Sequence, residues 1–244
     1  MLSVPFLFTI MATLSSSTTA LATLLTQGER IATSRLVLAS QSPRRKEIFD
    51  LMGLSGKYEV IVSGFPENLD KSLYCGEGGP ARYAKDNACC KAREVIQRIE
   101  KEEKGASATI VVGSDTIVDL DGQILEKPGD AEEAKSMLRR LSGREHLVHS
   151  GVGIFVTAAG AECAAEPAVA FSETTRVRFG KLTEEDIAAY VQSGEPMDKA
   201  GSYGIQGLGG QFVDGIQGCY FNVMGFPMRR FSTELSTLLL SPES

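Results

Sequence analysis

Four segments of this chain gather charged and polar side chains in arrangements that can support chemistry. The first, Leu36–Glu47, reads LVLASQSPRRKE. Leu36–Ala39 suit a buried strand, and Ser40, Gln41 and Ser42 a polar turn. Ser42 is a good N-cap and Pro43 a good first helical residue. Arg44, Arg45 and Lys46 then fall in the first helical turn, where the helix dipole disfavours cations unless an anion neutralises them. That combination fits a phosphate site. It also fits a capped surface helix with solvated arginines. The second segment, VVGSDT, places Asp115 straight after a buried-strand pattern. A carboxylate there can serve as a metal ligand or base, or simply close an Asx turn. The third, LEKPGD, puts Lys127 beside the rigid Pro128. The fourth, MDKAGSYGIQGLGG, offers Asp198, Lys199 and Gln206 among glycines, in an order that is not a dinucleotide-binding fingerprint.

Elements that could position these groups are legible in the hydrophobic spacing. A helix is predicted from Pro43 to about Leu51, a strand over Tyr58–Val62 and a loop over Gly64–Gly79 that carries Glu67 and Asp70. Ala81–Glu103 reads as a long helix with Lys91 on it, its apolar residues recurring near one face. Thr109–Gly113 reads as a strand that resumes at Thr116–Leu120 after a break, followed by an Asp121-Gly122 hairpin turn. Asp130 should cap a helix over Ala131–Leu141, and Thr183 one over Glu184–Gln192. Leu147–Val156 and Ala168–Phe179 suit a strand hairpin, Phe212–Asp214 and Cys219–Val223 a last strand pair, and Pro227–Leu240 a terminal helix. Strands and helices mix without a regular βαβ repeat, which predicts an α/β fold with a mixed sheet.

Composition narrows the classes. The 244 residues are 43% hydrophobic, enough for one large domain or two small ones. A net charge of −6 argues against broad electrostatic binding to nucleic acid, so a basic site has to be a local pocket. Five cysteines without a CxxC spacing fit a reduced interior better than a disulfide framework or a zinc site. His146 and His149 fall three apart in a strand pattern and so face opposite ways, which makes them structural rather than a metal pair. Residues 1–34 are rich in Ser, Thr, Ala and Leu, and their apolar run at residues 4–14 is too short to span a bilayer. No basic region precedes that run, so the expectation is a disordered extension with the folded domain over residues 35–244, no membrane, and a cytoplasmic protein; organelle targeting by the extension is weakly supported.

ASQSPRRKE, VGSDTIV, LEKPGDAEEAKSMLRRLSGREH and EPMDKAGSYGIQGLGG, in this order and spacing, resemble the Maf family of nucleoside triphosphate pyrophosphatases over about Leu36–Leu235. The resemblance implies an elongated mixed α/β fold with a central cleft, related to the inosine triphosphate pyrophosphatases. It implies hydrolysis of a nucleoside triphosphate to monophosphate and pyrophosphate, a divalent metal (Mg²⁺ or Mn²⁺), and a homodimer. By the same resemblance Asp115 is the general base and a metal ligand with Glu67, while Ser40, Arg45, Lys91 and Lys127 face the phosphates. Asp198 and Lys199 should line the same cleft. Arg44, Thr116 and Gln206 match the three positions of the branch acting on dTTP and UTP, and are expected to converge around the base. The alternatives are the branch acting on 7-methyl-GTP, which carries tryptophan and glutamine at the first two positions, and a non-catalytic regulator of septum formation.

Overall fold

The computed structural model describes residues 23–102, 108–157 and 165–240. In chain order its main elements are α1 (Gly28–Ala32), β1 (Arg35–Leu38), α2 (Pro43–Phe49), β2 (Glu59–Val60), α3 (Gly79–Glu102), β3 (Thr109–Leu120), β4 (Gln123–Leu125), α4 (Ala131–Leu141), β5 (Glu145–Thr157), β6 (Val169–Phe179), α5 (Glu184–Gln192), β7 (Val213–Gln217), α6 (Tyr220–Met224) and α7 (Met228–Leu240). Seven strands make one mixed sheet in the order β2-β1-β3-β5-β6-β7, with β4 also on β3. β1 runs parallel to β2 and β3, and the other pairings are antiparallel. This is the mixed α/β class that the spacing predicts.

The pairing of β3 decides where the site lies. One edge is covered by β5, from Thr109–Thr157 to Asp119–Leu147. The other edge is shared: β1 takes Thr109–Val112, and β4 takes Val118–Leu120. No described strand pairs with Gly113–Ile117 on that edge, and the sheet is notched there. The expected break inside the strand is therefore not found. β3 is continuous, and the interruption lies in its partners.

Helix α3 crosses the sheet over this region at close range. A Cβ added to Gly113 would lie 2.2 Å from the Ala88 carbonyl oxygen, and one on Gly151 would lie 2.2 Å from that of Ala84. Glycines on the sheet facing Ala84, Ala88 and Ala92 let the helix backbone approach, which brings Lys91 down onto β3. On the opposite face Phe49, Phe226 and Phe231 pack with ring centroids 4.8–5.4 Å apart; Phe226 meets the other two edge-to-face, a geometry that adds to their burial. They anchor α2 and α7 under the notch.

Caps form at two predicted positions. Asp130 accepts from the Glu133 N–H at 2.8 Å, and Thr183 from the Asp186 N–H at 3.1 Å. Ser42 does not cap with its side chain; its own N–H goes to Ser40 Oγ at 3.3 Å. Cys219–Val223 is no strand either: Tyr220–Met224 forms α6, and β7 pairs with β6 instead. A run of five mostly apolar residues is too short to separate a helical turn from a strand.

The expectation that residues 1–34 are a disordered extension fails for residues 23–34. Leu24 and Ile31 are buried in the same core as Phe231, Leu235 and Leu239. The Leu24 N–H donates to Ser232 Oγ at 3.0 Å, and Arg30 donates to the Leu239 carbonyl. Their scarcity of charge reflects packing against α7. Residues 1–22 lie outside the described residues. No helix among the described residues is long and apolar enough to cross a membrane.

Candidate active site

The notch in the sheet opens into a cavity of about 340 Å³. It is lined by Ser40, Arg44, Arg45, Glu67, Lys91, Asp115, Thr116, Lys127 and Gln206, which are all the site residues expected from the sequence. Asp198 and Lys199 line it as well. Five basic and three acidic side chains thus face the cavity, an excess of two positive charges in a chain of net charge −6.

Asp115 is buried on the α3 face of β3, and its Oδ1 accepts from Lys91 Nζ at 2.8 Å. The same Nζ lies 2.8 Å from Glu67 Oε2, so one ammonium stands between two carboxylates. Glu67 holds a positive φ of 51°, a conformation uncommon outside glycine, with its carboxylate against Lys91.

Arg45 enters from α2. It is 9% exposed, and its guanidinium donates to the Gly225 carbonyl at 3.0 Å, to Ser40 Oγ at 3.0 Å and to Thr116 Oγ1 at 3.1 Å. All three acceptors are neutral, and among the described residues Arg45 forms no direct ion pair. Burial lowers its pKa; Asp115 and Glu67 counter this from a distance, and neighbouring Arg44 adds to it. The result is a fixed, buried cation that no carboxylate touches. Gly225 can present its carbonyl because it ends α6 at φ 130°, in the left-handed region open to glycine.

Arg44 turns the other way, onto Asp198: Nη1 is 2.8 Å from Oδ2, and Nη2 is 3.1 Å from the Asp198 carbonyl oxygen. Lys199 closes on Asp198 Oδ1 at 2.7 Å. Lys127 is exposed at the cavity wall, with no ion pair among the described residues. Gln206 is exposed at the mouth. Thr116 lines the same cavity as Arg44 and Gln206, and its hydroxyl accepts from Arg45 at 3.1 Å. Its hydroxyl also donates to the Gly225 carbonyl at 3.2 Å.

Two contributors escaped the sequence reading. The Gly225 carbonyl is backbone and leaves no side-chain signature. Tyr203 lines the cavity while its hydroxyl meets His146 Nε2 at 2.9 Å. His149 is buried with Asp119 and Thr174, away from His146. Both histidines are structural partners, and among the described residues no group of three or more His, Cys, Asp or Glu could hold a metal.

A mixed sheet notched beside a buried cation and a carboxylate–ammonium pair defines an α/β protein with a locally basic cleft. The chain belongs to the Maf-like protein family, which matches residues 35–238. It is 46% identical over 208 residues to a human protein named "Probable bifunctional dTTP/UTP pyrophosphatase/methyltransferase protein", covering 85% of this chain and 32% of that protein. The chain therefore spans about a third of that relative. It is 43% identical over 196 residues to a dTTP/UTP pyrophosphatase of Clostridium perfringens, covering 80% of this chain and 93% of the relative. A crystal structure of a nucleoside-triphosphatase / dITP/XTP pyrophosphatase from Mycobacterium abscessus aligns over 84% of this chain and 94% of that one, at 16% identity and a TM-score of 0.33, too low to argue from.

Proposed function

We propose that this chain is a metal-dependent nucleoside triphosphate pyrophosphatase that converts dTTP and UTP to the monophosphate and pyrophosphate, with Asp115 as general base. The observation that carries the reading is Arg45, a buried guanidinium held by three neutral acceptors beside the Asp115–Lys91 pair. A buried cation without a carboxylate is costly unless an anion meets it, and a triphosphate supplies that charge. Arg45, Lys127 and Lys91 then approach the phosphates from three different elements, α2, the segment after β4, and α3.

Asp115, held through Oδ1 by Lys91, takes the proton of the attacking water. The water oxygen bonds to phosphorus, the anhydride bond between the α and β phosphates breaks, and pyrophosphate leaves. Mg²⁺ and Mn²⁺ take oxygen ligands and are commonly held by one or two carboxylates plus substrate phosphates. Glu67 and Asp115 fit that pattern, because a cation already sits 2.8 Å from each. A metal bound there would neutralise charge on the phosphate oxygens.

The Gln206 amide can donate to O4 and accept from N3–H of uracil or thymine, which favours these bases. The dTTP/UTP names of the relatives support the same substrates. The test is pyrophosphate release over a panel of dTTP, UTP, CTP, GTP and 7-methyl-GTP. The reading requires dTTP and UTP to lead, with monophosphate and pyrophosphate as the products. A lead by 7-methyl-GTP, or release of single phosphate from every nucleotide, overturns it.

A further inference from the structure

Gln206 occupies a tight turn whose two ends are held by the same pair of side chains. The Gly207 N–H donates to the Gly204 carbonyl at 3.2 Å, so Gln206 sits at the apex of a β-turn. Before the turn, the Gly204 N–H donates to the Tyr190 hydroxyl at 3.1 Å. After it, the Leu208 N–H donates to Glu195 Oε2 at 2.9 Å and the Gly209 N–H to Glu195 Oε1 at 3.3 Å. Tyr190 then donates its own proton to Glu195 Oε1 at 2.9 Å, closing the clamp.

The packing leaves the turn little play. A Cβ on Gly207 would lie 2.5 Å from a Glu195 carboxylate oxygen, and one on Gly209 would lie 2.6 Å from the Tyr190 hydroxyl. Burial opposes the Glu195 charge, but the Leu208 and Gly209 N–H groups, the Tyr190 hydroxyl and Lys199 together hold its pKa below the usual carboxylate value. Lys199 donates to the Glu195 carbonyl at 2.6 Å and to Asp198, and Asp198 holds Arg44. One hydrogen-bonded chain thus connects the Gln206 turn to Arg44, running from Glu195 outside the cavity lining through Lys199 and Asp198, which line it.

We infer that Glu195, working with Tyr190, is a positioning residue that fixes the Gln206 amide at the cavity mouth and thereby sets how sharply the enzyme separates uracil and thymine from cytosine. This rests on the proposed reading of Gln206 as the base-reading group. The charge matters as well as the shape. A carboxylate accepts at both oxygens, whereas an amide in its place would turn an NH₂ toward either the Leu208 N–H or the pair formed by the Gly209 N–H and the Tyr190 hydroxyl. Glu195→Gln therefore removes at least one of the hydrogen bonds that hold the turn on its Leu208–Gly209 side while leaving the volume nearly unchanged.

The experiment measures kcat/KM for UTP and CTP with the wild type, Gln206→Ala, Glu195→Gln, Tyr190→Phe and the Glu195→Gln/Gln206→Ala pair. Loss of one aligned hydrogen bond should lower the UTP-to-CTP ratio of Glu195→Gln by about 5–10-fold. Tyr190→Phe should shift the ratio in the same direction, and Glu195→Gln should change it no further once Gln206 is alanine. If Gln206→Ala itself leaves the ratio at the wild-type value, Gln206 does not read the base, and both that assignment and this inference fall. If Gln206→Ala lowers the ratio but Glu195→Gln and Tyr190→Phe do not, or if they slow both nucleotides equally, the clamp is structural only and the inference alone is overturned. Should Glu195→Gln fail to fold, Tyr190→Phe, which removes a single hydroxyl, decides the matter by the same ratio.

Discussion

Arg45→Met separates a ligand-binding role from a structural one, because the two predict opposite results. Three hydrogen bonds to a charged group contribute about 1.5–3 kcal/mol each. Taking one guanidinium out of water costs several kcal/mol, and no carboxylate offsets it directly. The terms are of similar size, so removing the charge should alter stability little. The acceptors left behind are also not stranded. The Gly225 carbonyl keeps the Thr116 hydroxyl at 3.2 Å, Thr116 keeps Ser150 Oγ at 2.9 Å, and Ser40 Oγ keeps the Ser42 N–H at 3.3 Å. Methionine fills most of the space of the aliphatic stem. The expected change in unfolding free energy is within about 2 kcal/mol in either direction, or about 4–8 °C in Tm for a domain of this size. Activity should fall by about 10²–10³-fold, as when one preorganised donor to transition-state charge is removed. Thermal unfolding with and without tripolyphosphate, together with kcat/KM for dTTP, reads both quantities. The anion should raise the Tm of the wild type and not that of the variant. A variant that unfolds some 15 °C lower yet turns over dTTP at the wild-type rate would make Arg45 a structural cross-link and not a ligand-binding group.

Three further outcomes follow from the packing. A chain beginning at Ser34 should lose the burial of Leu24 and Ile31, at about 1.5–3 kcal/mol each, and denature at clearly lower urea than a chain beginning at Thr23; equal midpoints would show that this segment contributes nothing. His146, pushed down to about 4 by burial, binds fewer protons when folded than when unfolded between pH 6.5 and about 4. Stability should therefore fall by about 3 kcal/mol as pH drops through that window, with His149, lowered chiefly by burial, acting in the same direction; His146→Gln should flatten the slope of unfolding free energy against pH, and an unchanged slope contradicts it. Gly225→Ala puts a side chain at φ 130°, a strain of order 1–3 kcal/mol, and should lower both Tm and kcat by shifting the carbonyl that aims Arg45; a variant with wild-type kcat would show that this carbonyl does not position the guanidinium.

Much of the site was legible because its side chains sit in motifs whose local geometry is encoded nearby. Asp130 and Thr183 cap their helices where the sequence places them, and Asp121-Gly122 turns β3 into β4. The misreadings share a cause, in that local patterns stood for tertiary facts. The Gly113-Ser114-Asp115 run reads as the end of one strand and a break before the next, yet β3 is continuous there and Gly113 admits α3. Leu24 and Ile31 are too sparse to announce a helix, yet they are buried by α7, more than 190 residues away in the chain. Glu195 reads as one more acid before a proline, and only the fold reveals the N–H groups it receives. Backbone groups such as the Gly225 carbonyl are invisible to any reading of side chains.

If Asp115 activates water while its neighbours hold the triphosphate, Asp115→Asn should separate binding from turnover. The amide oxygen can still accept from Lys91, so the fold and the protection against unfolding by bound dTTP should survive. The amide cannot take a proton from water, so single-turnover pyrophosphate release should fall by about 10²–10⁴-fold. Release at a near wild-type rate, with binding intact, would contradict the account and require another base in the cavity.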